Sequence, residues 1–90
     1  MKPFSWSHDK NQQLIESRQI SFEDVLYCIQ RERLLDDIEH PNKTKYPNQR
    51  VFVVEVDGYA YLVPYIESDD EIFLKTIIPS RKATKQYLGR

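Results

Sequence analysis

Glycine is nearly missing from this chain of 90 residues: there are two, with one cysteine, one methionine and two histidines. Each scarcity excludes a class of chemistry. Gly58 and Gly89 are too few to build a glycine-rich loop around a phosphate, and no Gly-x-Ser-x-Gly elbow is present. Cys28 alone cannot close an internal disulfide, and with two histidines it makes no Cys/His metal cluster. Apolar runs stop well short of the ~18 residues of a membrane span, and the first residues lack the apolar core of a signal peptide. The expectation is a cytoplasmic protein with no membrane contact, no cofactor and no metal.

What the chain does have is enough apolar surface for one domain, residues 1–90. Hydrophobic residues make up 40% and aromatic residues 12%, which excludes a disordered chain. Net charge is −1, but it is unevenly spread. Residues 72–90 hold Lys75, Arg81, Lys82, Lys85 and Arg90 and no acid, whereas all 14 acidic residues precede them. One face can therefore attract phosphate and another a basic partner.

The stretch from Arg50 to Lys85 organises the rest. Val51–Val56 and Tyr59–Ile66 flank Asp57-Gly58, the strongest short-range hairpin signal, since both central residues of a type I′ turn need positive φ. A third run, Ile72–Ile78, completes an antiparallel meander. Val51–Val56 is largely apolar on both faces, Glu55 excepted, so it reads as a central strand. Pro64 cannot donate to a ladder and predicts a bulge or free edge just before Tyr65. Pro79-Ser80 ends the third strand and caps a cationic helix, in which Arg81 stands above Lys85.

Upstream, Phe4-Ser5-Trp6 alternates like a short edge strand. A polar helix follows over His8–Arg18, with Ser7 as its cap. The next helix is better marked: Ser21 and Asp24 have capping-box spacing, Ile20 and Val25 staple spacing. Phe22, Val25, Leu26 and Ile29 form its apolar stripe, running on to Leu34 and Leu35. Cys28 beside this stripe reads as a small hydrophobe. Asp36–Pro41 leaves the helical pattern, and Asn42–Gln49 forms the longest loop, which brings Glu39, His40, Lys43, Lys45 and Tyr46 within reach of the sheet. The fold class is thus α+β: a short strand, two helices, a three-stranded meander and a C-terminal helix.

Arginine, lysine, tyrosine and one loop histidine around a small sheet suit metal-free cleavage of RNA. The 2′-hydroxyl attacks its own phosphate, a base takes its proton, and cations steady the crowded phosphorane. His40, Glu39 and Tyr65 are candidate proton carriers. Arg50, Arg81 and Lys82 are candidate charge stabilisers, and Lys75, Lys82 and Lys85 candidate RNA contacts. The nuclease reading is staked on Arg50 and Arg81 converging over one groove large enough for one nucleotide.

Phe4-x-Trp6, Lys10-Asn11, Ile20-Ser21-Phe22-Glu23-Asp24, the loop ending in Arg50 and Ile77-Ile78-Pro79-Ser80-Arg81-Lys82-Ala83-Thr84 resemble, in this order, the BrnT family. These are ribonuclease toxins of type II toxin–antitoxin modules. The resemblance spans Phe4 to about Tyr87, and it implies a RelE-like fold with the element order derived above. It also implies translation inhibition and neutralisation by a cognate antitoxin, through which alone DNA is contacted. By position it points to Arg50, Arg81 and Lys82, with Tyr65 nearby. The family usually carries His-Gly in the helix–helix turn, where this chain reads Arg18-Gln19. Two rival readings stay open: a catalytically silent binding protein of the same fold, and an unrelated small interaction domain.

Overall fold

The computed structural model describes residues 2–90. The chain runs β1 (Phe4–Trp6), α1 (His8–Arg18), α2 (Phe22–Gln30), β2 (Leu34–Glu39), β3 (Gln49–Val56), β4 (Tyr59–Glu67), β5 (Ile72–Leu74), β6 (Ile78–Pro79) and α3 (Arg81–Leu88). The strands form one mixed sheet in the order β1-β5-β4-β3-β2, with β6 also paired to β4. This is an α+β fold; among the described residues only β1 and β5 pair in parallel.

The two helices before the sheet start where their caps dictate. Ser7 Oγ accepts the Lys10 N–H at 3.2 Å. Ser21 Oγ accepts the Asp24 N–H at 3.0 Å, and Asp24 returns the bond to the Ser21 N–H at 2.9 Å, closing the capping box. Between the helices Gln19 takes the left-handed conformation, φ +57°. Buried Asn11 locks them together by accepting the Phe22 N–H at 2.8 Å and donating to Glu23 at 2.7 Å. That bond is the main cause holding the Glu23 carboxyl below its ordinary pKa.

Strand parity then divides the sheet into two faces. Phe52, Val54, Val63, Tyr65 and Leu74 face α1 and α2, packing with Leu14, Phe22 and Val25. Val53 and Ala60 face the other way, against Ala83 of α3. Burying β3 on both sides explains its apolar run Val51–Val54.

Three expectations are corrected. The helical pattern does not reach Leu35: α2 ends at Gln30, and Glu32 at φ +63° turns the chain. Residues 34–39, read as the end of that helix and the exit from it, are strand β2, which pairs antiparallel with β3 and shifts register between Leu34 and Asp36. Nor is Ile72–Ile78 one strand. β5 pairs with Tyr65–Glu67 of β4, the chain swings out, and β6 returns to Tyr61 and Leu62.

Pro64 stands at that handover. Its carbonyl accepts the Lys75 N–H at 2.8 Å, so its missing donor faces the departing β5. No ladder bond is lost there, and the ladder with β3 runs through Pro64 without a bulge. The free-edge expectation holds on one side of β4 only. Among the described residues no helix is long and apolar enough to cross a membrane.

Candidate functional site

The residues singled out by chemistry fall into two groups. Arg50, Tyr65 and Asp37 form the first. Arg50 and Tyr65 are cross-strand partners on β3 and β4, and Asp37 lies diagonally beside them, opposite Phe52. Arg50 Nε lies 3.2 Å from Asp37 Oδ1, and Nη2 donates to the Asp37 carbonyl at 3.0 Å. Tyr65 Oη lies 2.8 and 2.9 Å from the two carboxylate oxygens of Asp37. The Tyr65 ring is 3% exposed and stacks on Phe52 at 3.9 Å. Burial, then the bond to Asp37, pushes its pKa up to about 12. The Tyr65 hydroxyl and Asp37 together hold the Arg50 guanidinium above its already high value. Tyr65 is therefore a fixed donor, not a ready proton acceptor.

The second group lies on the α3 face. Ser80 Oγ caps α3 by accepting the Ala83 N–H at 3.0 Å. Thr84 Oγ1 fastens the helix down by accepting the buried Ala60 N–H at 2.8 Å and donating to the Ser80 carbonyl at 2.8 Å. Those two contacts and buried Ala83 turn Arg81, Lys82 and Lys85 outward to solvent. Among the described residues no carboxylate pairs with Arg81 or Lys82.

Arg50 and Arg81 do not converge, and this overturns the two-arginine centre. Arg50 belongs to the α1/α2 face, whereas α3 covers the opposite one. They are also at different ends of the strands. Arg50 stands opposite Tyr65, while the Ser80 N–H before Arg81 donates to Ala60, five residues earlier on β4. At ~3.3 Å per residue that is roughly 16 Å along the sheet, before its thickness is added. No single phosphate can touch both.

His40 and Lys75, in contrast, meet. They line one groove of about 470 Å³ together with Lys10, Tyr46, Gln49 and Thr76. No carboxylate among the described residues lines it. The β2–β3 connection brings His40 and Tyr46 there, their rings 4.5 Å apart, with Lys45 Nζ 5.3 Å from the tyrosine ring. The swing after β5 supplies Lys75, and the first turn of α1 supplies Lys10. His40 Nδ1 accepts the Asn42 N–H at 3.0 Å, so in the neutral ring the proton sits on Nε2. Lys82 lines the neighbouring groove of about 360 Å³ between α3 and the sheet, with Ile38, Val53 and Tyr87. Lys85 lines neither groove.

Lys10 enters the sequence argument only through the resemblance, with no site role, and Asp37 lies in the stretch read as the exit from the second helix. Strand parity would have revealed Asp37 had β2 been recognised. Comparison with protein families, with curated proteins and with solved structures finds no match for this chain.

Proposed function

We propose that the chain is the toxin of a type II toxin–antitoxin module, a BrnT-like, metal-independent endoribonuclease of the bacterial cytoplasm that blocks translation and is silenced by a cognate antitoxin. The observation that carries the catalytic part is the acid-free groove holding His40, Tyr46, Lys10 and Lys75. Its volume falls within the ~300–1,000 Å³ of small-molecule sites, enough for one nucleotide. The two ammonium groups offset the phosphate and the charge that develops on it. In the reaction, the 2′-oxygen bonds to phosphorus as the bond to the 5′-oxygen breaks. The 2′-hydroxyl proton passes to solvent, which returns one to the departing 5′-oxygen, while the Nε2–H of His40 donates to the charged phosphate. Products are a 2′,3′-cyclic phosphate and a 5′-hydroxyl. The antitoxin, and DNA through it, is reached by the family resemblance.

A catalytically silent binding protein is the second reading. It is favoured by the separation of Arg50 and Arg81, on whose convergence the nuclease reading of the sequence is staked, and by the commitment of Tyr65 to Asp37. Incubation of purified protein with RNA, with and without chelator, separates the two. Cyclic phosphate ends formed in chelator support the first. His40→Ala and Lys75→Ala are expected to lose about a hundredfold or more of that activity, and Arg81→Ala almost none. Loss on Arg81→Ala with full activity in the other two overturns the groove. Tight antitoxin binding without any cleavage establishes the silent reading.

A further inference from the structure

We infer that the groove is one of two adjoining phosphate positions, and that the ligand is a single-stranded nucleic acid spanning both. The inference rests on the groove reading above. A second cleft, of about 280 Å³, lies at the same end of the sheet and shares His40 and Gln49 with the groove. Its remaining polar lining is Glu39, Lys43, Asn48 and Arg50. The backbone joins the shared pair directly, the His40 N–H donating to the Gln49 carbonyl at 3.3 Å. A strand leaving the first site therefore crosses this pair to enter the second.

Arg50 is built to receive it. Asp37 engages Nε and Nη2 and fixes the plane of the guanidinium, which leaves donors over from the five that the group carries. A phosphate accepts from such a pre-set fork at little ordering cost. Glu39 is ion-paired with Lys43, and both side chains are more than half exposed. An exposed pair of this kind exchanges easily, so an entering phosphate takes Lys43 from it. Duplexes are excluded by the same geometry. A base beside Tyr46 must be unstacked, and a groove of this size does not admit paired strands.

The test titrates the full chain with uridine 3′-monophosphate and with a non-cleavable 2′-deoxy dinucleotide 3′-phosphate. The dinucleotide is expected to bind about tenfold tighter, with a salt slope steeper by about 0.7 for the added phosphate. Arg50→Ala should erase that gain and leave the mononucleotide unchanged, whereas Lys75→Ala weakens both. Lys43→Ala, at an exposed loop position, repeats the Arg50 result if Arg50→Ala fails to fold. Equal affinity for the two ligands, or tighter binding of duplex RNA, overturns the second position. Mononucleotide binding that ignores Lys75→Ala overturns the groove itself.

Discussion

Tyr65 and Asp37, 28 positions apart, are joined by a phenol that reaches both oxygens of one carboxylate. This contact ties edge strand β2 to β4 across the intervening β3. It also makes stability sensitive to alkali. The folded pKa of Tyr65 lies above the ordinary value of 10, at about 12. A raised folded pKa means that the native state holds the proton more tightly. The contribution is complete below pH ~10 and disappears as pH climbs towards 12. Wild-type protein is expected to lose about 2 kcal/mol more than Tyr65→Phe over that interval, read by urea unfolding at each pH. Near neutrality Tyr65→Phe should cost about 1 kcal/mol, since water can rehydrate the half-exposed Asp37. Parallel pH profiles for the two proteins would refute the assignment.

Thr84 is expected to matter more than the cations beside it. Thr84→Val keeps the shape but strands the Ala60 N–H inside the α3–sheet contact. A loss of about 2 kcal/mol in denaturant unfolding follows, with Thr84→Ser recovering most of it. Arg81→Ala, at an exposed position, should stay within about 0.5 kcal/mol of wild type. A neutral Thr84→Val would show that α3 is held by apolar packing alone.

Gln19 is a site for gain. It is held at φ +57°, where a side chain is strained and glycine is not. Glycine loses more freedom on folding, so the two effects partly cancel. Gln19→Gly should still raise stability by about 0.5–1 kcal/mol, seen as a higher melting temperature. A lower one would mean that the Gln19 side chain makes a contact worth more than the strain.

The elements written in local chemistry were legible from sequence. Asp57-Gly58 sets the hairpin, Ser7, Ser21 and Ser80 set three helix starts, and Phe4–Trp6 forms an edge strand as its alternation suggests. β2 was not legible. Leu34–Glu39 carries three acids, which are poor strand formers, and its support arrives from far away. Asp36 is held by Tyr87, whose Oη–H donates to Oδ2 at 2.6 Å, and Asp37 by Arg50 and Tyr65. Much of the Ser80-Arg81-Lys82-Ala83-Thr84 segment, which reads as a cationic site, is instead a fastening: Ser80 caps, Ala83 packs and Thr84 bridges. His40 and Lys75 were both picked out, but their meeting depends on where the chain swings out after β5. Arg50 and Arg81 look equivalent until strand parity puts Arg50 on one face and the packing of α3 puts Arg81 on the other.

The borders of the sheet carry a last consequence. One border is the three-residue β1; the other is β2, its register broken and its length studded with carboxylates. Neither offers a long, regular template of unpaired amides, and like charges repel a second copy laid alongside. Concentrated solutions of the folded protein should therefore resist fibril growth, even though β3 taken alone has the composition of an aggregating peptide.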